Sequence, residues 1–266
     1  MKALVRGIIL RIPGLRDWVA KRMFLGPGHN THRFWGVFKT AADAKARVPA
    51  SFNRGFDAPN LADFDERIHE RDLPLVRILS GLMPELGTIF DLGGNIGLSF
   101  YQFRSRIAYS KGLRWMVCDV PFVNEAGRRI AAKRGETQIF FTDDQQDGSG
   151  ADVYLTCGAL QYFEESLADL LAKLKDKPRR VLVNRVPLTE GDSFYTLQHM
   201  GYSVVPYHIT NLAAFVSSLE ALGYRLVEQW KNNRFCDILL RPDLRVPHYY
   251  GFYFERVEGA PGANRH

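Results

Sequence analysis

From residue 87 onward the chain alternates short apolar runs with longer amphipathic ones, and this rhythm restricts the possible folds more than any other feature. "TIFDL", "LRWMVCDV", "TQIFFTD", "ADVYLTC" and "RRVLVNRVP" read as strands. They are interleaved with "NIGLSFYQFRSRI", "FVNEAGRRIAAKRG", "SLADLLAKLKD" and "NLAAFVSSLEALG", which read as helices. Strands that are apolar throughout, joined by helices of that length, predict βαβ units and a mostly parallel sheet covered on both faces. Two last strands, "YRLVEQW" and "CDILLRP", lie too close together for a crossover helix and are expected to pair antiparallel.

Upstream, residues 40–86 carry a helical pattern. "TAADAKARV" opens on a Thr40 cap, and "NLADFDERIHERDLPLVRILSGLM" places apolar residues three and four apart. The expected organisation is therefore a basic amphipathic segment over 1–33, a helical cap over 34–86, an α/β domain over 87–256 and a disordered tail over 257–266.

Charge is informative once it is located. Residues 1–33 hold Lys2, Arg6, Arg11, Arg16, Lys21, Arg22 and Arg33 against Asp17 alone, which accounts for the whole net charge of +6. The rest of the chain is balanced, without the basic stripe that a nucleic-acid binder carries through its folded domain. In the head, Leu4, Ile8, Ile12, Leu15, Val19 and Met23 share a helical stripe flanked by Arg11, Arg16 and Arg22. Such a helix either packs on the body of the protein or lies on an anionic membrane surface, so residues 1–25 are a candidate peripheral anchor. Pro13 is expected to break or restart it. Arg6 and Arg11 interrupt the apolar region, which does not suit a signal peptide. No run approaches the ~20 apolar residues of a membrane span. Three scattered cysteines, Cys118, Cys157 and Cys236, form neither a disulfide framework nor a metal cluster and suit a cytoplasmic compartment.

The first strand–turn–helix reads "FDLGGNIG": Asp91, then Gly93-Gly94-Asn95-Ile96-Gly97. In an open α/β sheet, ligands bind where the strand order reverses, at the carboxyl ends of the strands. A dinucleotide turn wants glycine where Asn95 stands, and Asp91 would oppose a pyrophosphate. Both features suit a cation instead. S-adenosylmethionine has a sulfonium and an α-ammonium and no phosphate, and a strand-end acid can hold that positive end through charge-assisted hydrogen bonds.

On these residues the sequence resembles the class I S-adenosylmethionine-dependent methyltransferases. The resemblance implies a Rossmann-like α/β fold, with a seven-stranded, mostly parallel sheet ending in an antiparallel hairpin. It also implies cofactor contacts from Asp91, Gly93, Gly94, Asn95 and Gly97. Asp119, ending the next strand in "WMVCDVPFV", is expected on the ribose hydroxyls, and "DVP" is similar to the "DLP" of small-molecule O-methyltransferases. Asp143, with Thr142 beside it in "FFTDD", is expected near the adenine amino group. More narrowly, "RFWGVFKTAADA" and "NRVPL…TLQHMGY…PYHITN" resemble a poorly characterised methyltransferase family found with bacterial cell-surface polysaccharide genes.

The expected reaction is O-methylation of a small-molecule or glycan hydroxyl. "GALQYF" stands where amide N-methyltransferases carry an Asn-Pro-Pro-Tyr-type tetrad. No carboxylate cluster has metal-ligand spacing, so no metal site is expected. A hydroxyl acceptor benefits from a general base, and His199, His208 and Tyr162 are the candidates, with Gln198 and Asn211 able to hold hydroxyls. "HYYGFYF" either stacks on a sugar or packs against the sheet. Three rival readings remain. One is a SAM-binding-like domain serving as a membrane-associated scaffold, another a nicotinamide-dependent dehydrogenase, and the third an adaptor that works through its basic head.

Overall fold

Each apolar run between residues 88 and 189 forms a strand where the sequence places one. The structure, a computed structural model, describes residues 13–26, 32–56 and 65–257. In chain order its elements are α1 (Pro13–Leu25), β1 (Arg33–Phe38), α2 (Ala41–Lys45), α3 (Leu73–Leu82), β2 (Thr88–Leu92), α4 (Leu98–Phe103), β3 (Arg114–Cys118), α5 (Pro121–Arg134) and β4 (Ile139–Thr142). There follow β5 (Val153–Cys157), α6 (Leu167–Ala172), β6 (Arg180–Thr189), β7 (Phe194–His199), β8 (Val204–Asn211), α7 (Leu212–Ala221), β9 (Tyr224–Asn232) and β10 (Tyr249–Arg256). They divide into two units. The first is Met1–Phe56, Pro187–Asn211 and Arg234–His248, and the second is Asp57–Val186, Leu212–Asn233 and Tyr249–His266.

In the second unit the strand order is β4-β3-β2-β5-β6-β10-β9. β2 pairs parallel with β3 and β5, β3 with β4, and β5 with β6, while β9 and β10 pair antiparallel. This is the expected seven-stranded sheet with its terminal hairpin. The chain enters at β2, runs outward to β4, then returns to β5 on the other side of β2. The order therefore reverses between β2 and β5, and the crevice at their carboxyl ends is the natural ligand site. Leu75, Leu79, Phe100, Phe103, Trp115 and Leu155 lie in one apolar core, while Ile96, Val123 and Ala126 make a second cluster beside the first turn of α5.

The hairpin forms from different residues than expected. "CDILLRP" makes only isolated bridges, Phe34 with Ile238 and Cys236 with Val246, within the first unit. The partner of β9 is the aromatic run "YYGFYFER", whose first six residues are buried. An apolar run marks burial, and "CDILLRP" buries Cys236 and Ile238 without forming a sheet strand, so composition cannot tell which segment completes the sheet. The aromatic run is thus a sheet strand and not a sugar platform.

The first unit joins β1 to β7 and β7 to β8, both antiparallel, and β8 pairs parallel with the end of β6 through Leu188↔Thr210. The helical cap expected over 34–86 is therefore divided: its start is strand β1, and α3 belongs to the second unit. Thr40 caps α2 as expected, accepting from the Asp43 N–H at 3.1 Å. The helix α1 begins at Pro13, whose missing N–H costs nothing in a first turn. It buries Ala20 and Phe24 against Trp35, Leu197 and Val204. The expected stripe is turned away: Leu15 and Met23 are exposed, as is Trp18. The upstream stripe positions Leu4, Ile8 and Ile12 and the tail over 258–266 lie outside the described residues.

Candidate functional site

Asp91 is the fourth residue of β2 and is completely buried. Its Oδ2 accepts from Trp115 Nε1 at 3.0 Å, and its Oδ1 is buried with no hydrogen-bond partner. Burial pushes its carboxyl up to about 7, against the pull of the Trp115 bond. The glycine turn folds over this carboxylate. A Cβ at Gly94 would lie 2.6 Å from Asp91 Cγ, so only glycine fits there. Gly93 and Gly97 have φ of +66° and +91°, and Asn95, at +56°, adopts the left-handed conformation that asparagine tolerates better than most residues.

The turn is held from the next strand. Gly93 N–H donates to the Cys118 carbonyl at 2.7 Å. Asp119 accepts from Asn95 N–H on Oδ2 and from Val120 N–H on Oδ1, both at 2.8 Å. Burial raises the Asp119 carboxyl, and these two backbone bonds oppose the rise. Each oxygen keeps a second lone pair for a ligand hydroxyl. Thus the two acids predicted from the sequence meet at one turn, Asp91 beneath it and Asp119 beside it.

Asn124 is a residue that the sequence reading passed over. It is fully buried in α5, and its Nδ2 lies 2.8 Å from the Asp119 carbonyl, 2.6 Å from the Thr142 carbonyl and 2.7 Å from Asp143 Oδ1. Its two protons are shared among three acceptors, tying the end of β3 to the end of β4. A polar residue in the first turn of a helix, three positions after "DVP", was the visible signal. Thr142 is half-buried, with its hydroxyl donating to Asp147, and Asp143 is exposed. Tyr162 is half-buried in the 3₁₀ turn Leu160–Tyr162 that follows β5.

The two histidines belong to the first unit and the glycine turn to the second. His199 is 1% exposed, its Nδ1 accepts from Gly201 N–H at 3.0 Å, and its ring packs edge-on against Phe24 and Phe52. Burial, helped by Arg33, lowers its pKa. A base sealed among aromatic rings reaches no acceptor, so His199 is a core residue and the catalytic expectation is corrected. His208 is half-buried and stacked flat on Tyr195, with ring centroids 4.2 Å apart, and burial lowers its pKa. Gln198 meets His32 at 3.2 Å, and Asn211 donates to the carbonyls of Glu190 and Gly191. Both amides hold together the first unit.

A second polar cluster in the second unit also escaped the sequence reading. Asp72 and Asn184 are each 1% exposed, and Asn184 Nδ2 donates to Asp72 Oδ1 at 2.8 Å. Trp230 Nε1 donates to Asn184 Oδ1 at 3.1 Å, and Arg185 donates to the Cys157 carbonyl at 2.7 Å. The signal was Asn-Arg inside the otherwise apolar "VLVNRVPL".

No protein-family model matches the chain, and no curated protein matches it. Among solved structures it is similar to 1,6-didemethyltoxoflavin-N1-methyltransferase of Burkholderia thailandensis, determined with 1,6-didemethyltoxoflavin and S-adenosylhomocysteine. That likeness has 17% identity over 71% of this chain and 79% of the other, with a TM-score of 0.48. It is also similar to an S-adenosylmethionine-dependent methyltransferase of Mesorhizobium loti (16%, 70% and 98%, TM-score 0.45). An O-methyltransferase family protein of Burkholderia thailandensis is similar at 15% over 71% of this chain and 57% of its own, TM-score 0.46. The fold assignment rests on the strand order described above.

Proposed function

We propose that this chain is an S-adenosylmethionine-dependent methyltransferase that binds its cofactor over the turn between β2 and α4. One observation carries the reading: a buried carboxylate oxygen of Asp91, without a hydrogen-bond partner, directly under a glycine turn at the strand-order reversal. A buried unpaired carboxylate is costly, and a cationic ligand offsets that cost where a pyrophosphate would add to it. The sulfonium and ammonium of S-adenosylmethionine fit this requirement.

The cofactor supplies an electrophilic methyl group, and the chain must hold it, align the acceptor and exclude water. On this reading Asp91, Gly93, Gly94, Asn95 and Gly97 take the methionine end. Asp119 receives the ribose hydroxyls on its remaining lone pairs, and Thr142 and Asp143, fixed by Asn124, meet the adenine edge. Tyr162 stands on the acceptor side, after β5. The acceptor is a hydroxyl of a small molecule or glycan.

The same reading keeps a cytoplasmic protein in peripheral contact with an anionic membrane. Its support is α1, which buries Ala20 and Phe24 and leaves Leu15, Trp18 and Arg22 exposed. No helix among the described residues is long and apolar enough to cross a membrane.

The test is calorimetric titration of S-adenosylhomocysteine into the wild-type chain and into Asp119→Ala. Micromolar binding that weakens at least tenfold in the variant is expected. A folded wild-type chain that takes up no S-adenosylhomocysteine would overturn the reading.

A further inference from the structure

We propose that the second unit holds an oxyanion subsite for the methyl acceptor, built on Arg185, which lies midway along β6 beside the carboxyl end of β5. The assignment to an acceptor rests on the methyltransferase reading, whereas the anion site itself does not.

The location follows from contacts. A Cβ at Gly93 would strike the Ala159 side chain, and Ala159 adjoins Gly158, whose own Cβ position lies 3.2 Å from Arg185 Nε. Gly158 N–H donates to the Asn184 carbonyl at 2.8 Å, and the guanidinium donates back to the Cys157 carbonyl. Arg185 therefore reaches across the end of β5, one turn away from the glycine turn. Its backbone is strained for the purpose, with φ +60° inside a strand. For a bulky residue that conformation costs about 1–2 kcal/mol, and such strain persists where surrounding structure enforces it, typically at functional sites.

Charge then points to the ligand. Asp72 is flanked by Arg185 Nε at 3.7 Å and Arg71 Nε at 3.9 Å, both too long for hydrogen bonds. Arg185 and Arg71 thus both lie beside this buried carboxylate without a hydrogen bond to it. Arg185 Nε is buried with no hydrogen-bond partner, while the side chain as a whole is 22% exposed. The other carboxylate that interacts with Arg185 is Asp91. On the reading above, Asp91 answers the cationic end of the cofactor. A second fixed cation beside a cationic cofactor is unfavourable unless an anion shares the pocket. A guanidinium meets a carboxylate or phosphate group with two parallel hydrogen bonds, so an acceptor bearing either group fits.

The experiment uses the full chain saturated with S-adenosylhomocysteine and titrates inorganic phosphate at constant ionic strength. Tryptophan fluorescence is followed, because Trp230 is bonded to Asn184. Millimolar phosphate binding is expected. It should weaken at least tenfold in Arg185→Gln and less in Arg185→Lys, which keeps the charge but loses the fork. S-adenosylhomocysteine affinity should stay within twofold in both. Should Arg185→Gln fail to fold, Arg185→Lys carries the comparison.

Equal phosphate affinity in wild type and variant would overturn the proposal. So would a variant that loses S-adenosylhomocysteine affinity while the wild-type complex ignores phosphate, because the guanidinium would then serve the cofactor's own carboxylate. If the wild-type chain binds no S-adenosylhomocysteine, the methyltransferase reading falls separately. Phosphate binding that depends on Arg185 would still establish the anion site.

Discussion

Of the two oxygens on Asp91, one is bonded to Trp115 and the other is buried without a partner, and the carboxyl rises to about 7 chiefly through burial. A cationic ligand favours the ionised form, so binding below pH 7 must release a proton. S-adenosylmethionine affinity is therefore expected to fall as pH drops from 8 to 6. Calorimetry in buffers of different ionisation enthalpy should show close to one proton released at the lower pH and almost none at the upper. Affinity independent of pH, with no proton release, would remove Asp91 as the counter-charge. The same group sets a stability trend of opposite sign. Its folded pKa lies above the unfolded value of about 4, so its ionisation costs the fold stability as pH rises from about 4 through 7. Asp91→Asn should then melt several degrees above wild type at pH 8 and close to it at pH 4.5, while losing cofactor affinity. A variant that melts lower at both values would place the Trp115 bond above burial as the dominant effect. Asp91 and Asp119 were legible because an acid next to a glycine turn carries chemistry with local sequence alone. Asp72 and Asn184 were not, since their bond joins residues 112 apart in the chain.

Helix α1 shows what periodicity alone leaves open. Leu15, Val19 and Met23 form the apolar stripe by spacing, yet the helix buries Ala20 and Phe24, roughly a third of a turn away. The buried face was decided by what it meets: Phe24 lies 5.7 Å from the Trp35 ring and 5.4 Å from His199. Phe24→Ala is accordingly expected to destabilise the first unit by about 3–5 kcal/mol in chemical denaturation, and Met23→Ala by under about 0.5 kcal/mol. The reverse ranking would restore the predicted stripe as the packing face. Strands β7 and β8 escaped the sequence for a related reason. β7 carries Thr196, Gln198 and His199, which read as loop residues but are buried, with Thr196 bonded to the Trp35 carbonyl and His199 to Gly201. The parallel strands of the second unit needed no such partners to be recognised, because burial on both faces makes each of them apolar along its length.

Across the whole molecule, charge and fold are distributed differently. The second unit contains every proposed cofactor residue, whereas the net excess of +6 lies within residues 1–33, outside it. A cationic head beside an exposed Trp18, with Arg22 over its ring, has the composition of an interfacial anchor. Each basic residue near an anionic bilayer contributes about 1 kcal/mol, and the attraction decays within a Debye length, about 10 Å at 0.1 M salt and 3 Å at 1 M. The full chain is expected to sediment with vesicles containing phosphatidylserine at about 0.1 M salt, to leave them near 1 M, and to ignore neutral phosphatidylcholine vesicles. Removing residues 1–25 would also remove Phe24 from its core, so the informative variant is Trp18→Ala, which touches only the outward face. It should bind several-fold more weakly with an unchanged melting temperature and unchanged S-adenosylhomocysteine affinity. Sedimentation that survives high salt would make the contact apolar instead of electrostatic. No sedimentation at low salt would reduce α1 to a packing helix, and the excess charge would then need another partner.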